Sequence, residues 1–404
     1  MSAQILKMML GEIGSSIDIP DSSYETAYAR YEDLGKWLSE NPKSKSARFK
    51  PHVFAQGSFR LGTVIRPWKR NDYDLDLSCK LQQGITKENY TQEQLKKLIG
   101  ADLEAYRIEH HIEEELESRH RCWRLIYQDQ LNFHLDTVPC IPENALIRGV
   151  LQERMIKAGT VEFFAKQVAQ LAVSITDDRK KSYRVISPEW NISNPEGYAK
   201  WFETRMKQAK RLFESMSVKA KVAKVDAIPV YQWRTPLQRC VQILKRHRDI
   251  MFEKDIEGHP ISAIITTLAA RSYQGEEAIE DAMQAILTKM GDLVNKQEPR
   301  VPNPVNPAED FADKWPTDKG RELKLEKKFW QWLEQARTDF GTFSSSNDIQ
   351  YLSEKVKNKF GADLNVDNLR KKIGLSSGIV IGGKGLADQT PKKAVDHQGG
   401  GRFG

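Results

Sequence analysis

The chain has 404 residues, 39% of them hydrophobic and 29% charged, with a net charge of +7. That length suffices for two domains or one two-lobed enzyme with a substantial core. No run of about 18 apolar residues occurs, so no membrane span is expected, and Met1 to Met9 lacks the basic lead and apolar core of a signal peptide.

In chain order, the first clear element is an amphipathic helix over 21–39. Ser22 or Ser23 can cap it, and Tyr24, Ala27, Tyr28, Tyr31, Leu34 and Leu38 mark one buried face before Asn41-Pro42 ends it. From 50 to 185, strand and helix signals alternate. Tyr73 to Cys79 alternates with period two. Cys122 to Tyr127 and Leu131 to Val138 read as two strands joined by the polar turn Gln128-Asp129-Gln130. Residues 91–118 are charged and helix-permissive, and 151–173 reads as a further helix. This is an α/β block.

Beyond 195 the chain turns helical, with helices expected over 196–215, 235–253, 261–273, 276–291, 321–338 and 347–359. Pro236 starts the second of these. Pro302 to Pro307 is expected as an ordered surface loop, because its prolines exclude a helix or a central strand. Nine of the 25 glycines fall between Gly374 and Gly404, which points to a flexible tail.

Cys79, Cys122, Cys140 and Cys240 form no CxxC pair and no zinc-spaced cluster. Buried free thiols fit a reducing cytoplasm, which is the expected location. His110-His111 reads as a solvated helix patch.

The chemistry concentrates in three short stretches. Gln56-Gly57-Ser58-Phe59-Arg60 is a Gly-Ser turn whose backbone can approach a triphosphate closely, with the Ser58 hydroxyl as a donor. A helix starting there would add its dipole. Arg60, Arg66, Lys69 and Arg70 follow as candidate phosphate counter-charges. In Tyr73-Asp74-Leu75-Asp76-Leu77, alternation points Asp74 and Asp76 to one face and the apolar three to the other, with the carboxylates about 7 Å apart along the strand. Asp136 shares a strand face with His134, which is read as structural. If the two strands are neighbours, three carboxylates converge into a set able to hold two Mg2+ or Mn2+ ions beside a nucleoside triphosphate. That combination points to nucleotidyl transfer.

Through Gln56 to Thr63 and Tyr73 to Leu77, the chain resembles the bacterial cGAS/DncV-like nucleotidyltransferases (CD-NTases). Ser187-Pro188-Glu189-Trp190, Asn194 to Tyr198, Leu237 to Asp249, Pro260 to Ala270 and Asn303-Pro304 through Trp315 extend the likeness over roughly residues 20–370. The resemblance implies a polymerase-β-like α/β lobe with a mixed sheet over 1–190, a mainly helical lobe over 191–373 and a tail over 374–404. The active site would lie in the cleft between the lobes.

It further implies synthesis of a cyclic di- or trinucleotide from NTPs, with pyrophosphate release, in antiphage (CBASS) signalling. Asp74 and Asp76 would hold both metals, Asp136 the one that activates the attacking hydroxyl, and Lys245 the triphosphate tail. No zinc-binding insertion of the animal DNA sensor is present, so activation by nucleic acid is not expected. In some operons of the family an E1/E2-like transferase conjugates the synthase by its C-terminus, which would make Gly404 the activated residue. Two other readings stand beside this one: a linear, template-independent transferase of the poly(A) or oligoadenylate type, and an inactive nucleotide- or RNA-binding regulator.

Overall fold

The computed structural model describes residues 2–69, 73–128, 132–206 and 234–372. The tail from 374 to 404, Arg70 and the far half of the helix expected over 196–215 lie outside them.

A mixed sheet organises the first lobe. Its strands are β1 (Pro51–Ala55), β2 (Tyr73–Leu81), β3 (Glu117–Ser118), β4 (Trp123–Tyr127) and β5 (Phe133–Pro142), with β6 (Val173–Ile175) and β7 (Asn191–Ser193) continuing from the far end of β5. The order is β1-β2-β5-β4-β3. β2 and β5 run parallel, and the other neighbours are antiparallel. The alternation in Tyr73 to Leu77 becomes burial: Tyr73, Leu75 and Leu77 are in the core while Asp74 is exposed and Asp76 half-buried.

Helix α1 (Ser2–Ile17) has no counterpart among the sequence expectations. Its residues Ile5, Met9, Leu10 and Ile13 are buried in the helical core, against Leu237, Val241 and Leu244. Helix α2 (Asp21–Glu40) buries Tyr24, Ala27, Tyr31, Leu34 and Leu38 as its spacing requires, with Tyr28 packed at the edge. Its cap differs. Pro20 occupies the N-cap without a side-chain bond, so Ser22 and Ser23 fall inside the first turn.

The helix expected over 151–173 is three elements. After the five-residue α3 (Gly57–Leu61) and α4 (Gln92–Glu109) come α5 (Ala145–Lys157), α6 (Glu162–Ala169) and strand β6. The chain breaks at Gly159, whose φ of +88° no helix accepts. His110 and His111 lie just past the end of α4 rather than within it.

The helical lobe comprises α7 (Pro195–Arg205), α8 (Pro236–Met251), α9 (Ser262–Ser272), α10 (Ile279–Lys289), α11 (Asp318–Glu322), α12 (Leu325–Ser345), α13 (Ile349–Phe360) and α14 (Val366–Lys372). The helix expected over 321–338 is split where Lys324 takes a left-handed φ of 56°. Thr235 and Gln238 form a capping box at the start of α8, with Pro236 in the first turn.

Pro302 to Pro307 departs from the surface loop expected of it. It belongs to a small antiparallel ribbon, β8 (Pro302–Asn303) with β9 (Asn306–Asp310). Val305 at its turn is fully buried among Leu151, Met155 and Ala165. Proline costs little in a two-stranded ribbon, where every strand is an edge.

All four cysteines are free; Cys79, Cys140 and Cys240 are buried and Cys122 is half-buried. Among the described residues no helix is long and apolar enough to cross a membrane.

Candidate active site

The Gly-Ser turn sits where β1 ends. Gln56 is extended, and α3 begins at Gly57, whose φ of +63° lies in the left-handed region. A Cβ there would stand 2.2 Å from Oδ2 of Asp76. Glycine is therefore required twice, for its backbone conformation and for the space the carboxylate occupies. The Gln56 amide donates to the Asp76 carbonyl at 2.8 Å, and the Ser78 hydroxyl donates to the Gln56 side-chain oxygen at 3.0 Å. Turn and Asp strand thus form one rigid unit. Gly57 is exposed and Ser58 half-buried.

The parallel register of β2 and β5 pairs Asp74 with His134 and Asp76 with Asp136. Partners in register project to the same side of a sheet, so the three aspartates share one face beside the turn. Like charges crowd there. Burial first, then Asp136 and Asp74, push the Asp76 carboxyl up to about 7.

A residue that the sequence reading did not single out answers this charge. Arg124 on β4 lies in register with Asp136. Its Nε and one Nη donate to the two Asp136 oxygens at 2.7 Å each, a bidentate pair, and the same Nη reaches Oδ1 of Asp74 at 3.3 Å. Nδ1 of His134 lies 3.3 Å from Oδ1 of Asp74. These bonds hold the Arg124 charge firmly, raising its pKa. The signal was present in the hairpin: antiparallel pairing of 123–127 with 133–137 sets Arg124 opposite Asp136.

Among the described residues no group of three His, Cys, Asp or Glu side chains forms a ready-made metal cage. The donor chemistry nevertheless fits magnesium or manganese. Magnesium takes one or two carboxylates and completes its shell with phosphate oxygens and water. Asp74, Asp76 and Asp136 offer hard oxygens on one face, and the raised Asp76 pKa marks a site where added positive charge is favourable.

The other candidates are tied to neighbours. Arg60 pairs with Glu203 on α7 at 2.6 Å, and Lys69 pairs with Glu253. Lys245 is buried and donates to the Thr63 carbonyl at 2.9 Å, in the segment that follows the Gly-Ser turn. Burial, with Arg248 nearby, lowers its pKa to about 8. Between the lobes, Lys80 on β2 pairs with Glu196 on α7 at 2.8 Å. Gly404 lies outside the described residues.

Comparison with known proteins agrees with this geometry. Residues 51–140, which contain the turn and all three aspartates, match the family model described as cyclic GMP-AMP synthase DncV-like, nucleotidyltransferase domain. The chain is 26% identical over 405 residues to a c-di-GMP synthase of Roseivirga ehrenbergii, covering 96% of this chain and 95% of the relative. It is 23% identical to the cyclic dinucleotide synthase CdnG of Bradyrhizobium diazoefficiens, covering 89% and 81%. The fold is similar to the solved structure of the CD-NTase CdnG of Bradyrhizobium diazoefficiens in complex with GTP, with a TM-score of 0.62 at 18% identity over 91% of this chain and 99% of that one. The chain thus carries a DncV-like nucleotidyltransferase domain in its mixed-sheet lobe, beside a helical lobe, and its fold is similar to that of the CD-NTase CdnG.

Proposed function

We propose that this nucleotidyltransferase makes a cyclic dinucleotide from two nucleoside triphosphates. Each of two successive transfers forms a phosphodiester bond between a ribose hydroxyl of one nucleotide and the α-phosphate of the other, and pyrophosphate leaves. The parallel register that sets Asp74, Asp76 and Asp136 on one face beside the Gly57 turn carries the reading. The likeness to relatives named as cyclic dinucleotide synthases supports the ring product.

Asp74, Asp76 and Asp136 would hold two Mg2+ or Mn2+ ions. When bound, such ions neutralise triphosphate charge and make the attacking hydroxyl a better nucleophile. The chain's own part is mainly positioning and charge. The Gly57 and Ser58 amides and the Ser58 hydroxyl cradle the phosphates, while Gln56 holds the turn to β2 through Ser78 and the Asp76 carbonyl. Arg60, steered by Glu203, sets positive charge near the cleft. Lys245 acts from behind the turn. Arg124 bonds and orients Asp136 and Asp74, and it would have to give up part of that pairing for Asp136 to hold an ion.

The test is incubation of the purified protein with all four NTPs and magnesium or manganese, followed by mass spectrometry. A product with no terminal phosphate supports the reading, and a linear product retaining a triphosphate overturns it. The place of the product in antiphage signalling follows from the family resemblance. Expression in a phage-sensitive host should lower plaque counts, and Asp76→Ala should restore them; equal counts for both would remove that role.

A further inference from the structure

Helix α8 carries a buried polar stripe of which nucleotidyl transfer, as proposed, uses only Lys245. Gln238, Gln242, Lys245 and Arg246 are at most 6% exposed. Their spacing of four, seven and eight residues puts them on one side of the helix. All four donate to main-chain carbonyls of a single segment. Gln238 bonds Leu61 at 2.9 Å, Gln242 bonds Val64 at 2.7 Å, Lys245 bonds Thr63 at 2.9 Å, and Arg246 bonds Arg66.

The segment receiving these bonds has no regular secondary structure from Thr63 to Pro67. It starts at the end of the Gly-Ser turn and leads toward the Asp74–Asp76 strand. The Thr63 amide is bonded back to the Ser58 carbonyl at 2.9 Å. Gln242 also donates to Asp18, at 3.2 Å, just beyond α1. A buried carbonyl must find a donor, and here the donors come from the opposite lobe.

We infer that the α8 stripe is a positioning device, in which Gln238 and Gln242 of the helical lobe set the seat of the Gly57-Ser58 turn and thereby the affinity of the site for the triphosphate. The two lobes meet through side-chain-to-backbone bonds rather than through apolar contact alone. Such bonds fix the segment's register: displacing it along α8 breaks several at once. A shift of the turn also moves Gly57 against Asp76, so the stripe governs phosphate binding and carboxylate placement together. The inference rests on the nucleotidyl-transfer reading of the site.

The test is Gln242→Met, which keeps the shape of the side chain and removes the donor to Val64 and Asp18 and the acceptor for Arg239. Steady-state kinetics with the NTP as varied substrate should give a KM raised roughly tenfold, with kcat changed less, the scale expected from losing the buried bond to Val64. Gln242→Lys, which restores a donor toward Val64 beside Asp18, should recover most of the loss. A purely structural role predicts a lower melting temperature with KM unchanged in the folded fraction, and that result overturns the inference.

If Gln242→Met does not fold, hydrogen exchange on the wild type decides. A nonhydrolysable NTP with magnesium should slow amide exchange both in 57–66 and in 236–246. Protection confined to 57–61 contradicts the coupling. Absence of any nucleotide-dependent change in the wild type would instead refute the nucleotidyl-transfer reading itself.

Discussion

Replacing Asp76 by Asn should abolish nucleotidyl transfer and, in the absence of divalent metal, make the protein more stable. The carboxyl is crowded by burial and by Asp136 and Asp74, which raise it from 3.8 to about 7. A carboxyl whose folded pKa exceeds its unfolded one binds more protons when folded, so its contribution to stability is lost as pH rises from about 4 to 7. A shift of about 3 units corresponds to about 4 kcal/mol as an upper bound, and partial exposure reduces it to roughly 2–4 kcal/mol. Asn keeps the shape and removes the charge. In chelator at about pH 7.5, the melting temperature of Asp76→Asn should exceed that of the wild type by roughly 3–8 °C. The gap should close toward about pH 4, where the wild-type carboxyl is itself neutral. Magnesium should raise the wild-type melting temperature more than that of the variant. An Asp76→Asn protein no more stable than the wild type in chelator at neutral pH would refute the reasoning.

Gly57→Ala would put a methyl carbon 2.2 Å from Asp76 Oδ2 at a φ of +63°; the backbone strain alone costs about 1–2 kcal/mol, and kcat/KM should fall by roughly 100-fold, an outcome that wild-type kinetics in this variant would rule out. Arg124→Met removes the cation bonded to Asp136 and Asp74. Mn2+ binding followed by electron paramagnetic resonance without nucleotide should tighten at least about threefold, and weaker binding would show that Arg124 assists rather than competes. Lys245 has its pKa lowered from 10.5 to about 8. The unfolded chain therefore binds more protons across that window, and wild-type stability should gain up to roughly 3 kcal/mol there relative to Lys245→Met. Parallel pH–stability curves for the two proteins would contradict the burial of that ammonium.

Local patterns in the sequence were legible where one period dominates. Tyr73 to Leu77 alternates because one side meets the core and the other the cleft, so Asp74 and Asp76 could be assigned a common face without knowing the sheet. The pairing of β2 with β5 is a long-range fact. It had to be supposed from the sequence, and the register of Asp76 with Asp136 supplies it. The α2 face was readable for the same local reason. Helix α1 drew no attention because its apolar residues pack against α8, more than 200 positions away in the chain.

The Gly159 break and the left-handed Lys324 divide segments whose composition permits one continuous helix. Arg124 was missed because a strand arginine reads as an exposed charge until its cross-strand partner is known. Lys245 was singled out through family resemblance alone; its burial against Thr63, and the companion bonds of Gln238 and Gln242, follow from how α8 docks.

The central claim is that the carboxylate face beside Gly57 joins NTPs into a ring. The most direct measurement follows the α-phosphate label of NTPs into phosphatase-resistant product with magnesium or manganese, for the wild type and for Asp136→Ala. The account predicts for the wild type a resistant product whose mass the phosphatase leaves unchanged, as a ring requires, and no such product for Asp136→Ala. A product that loses terminal phosphates to the phosphatase, or a resistant ring formed equally by Asp136→Ala, would contradict it.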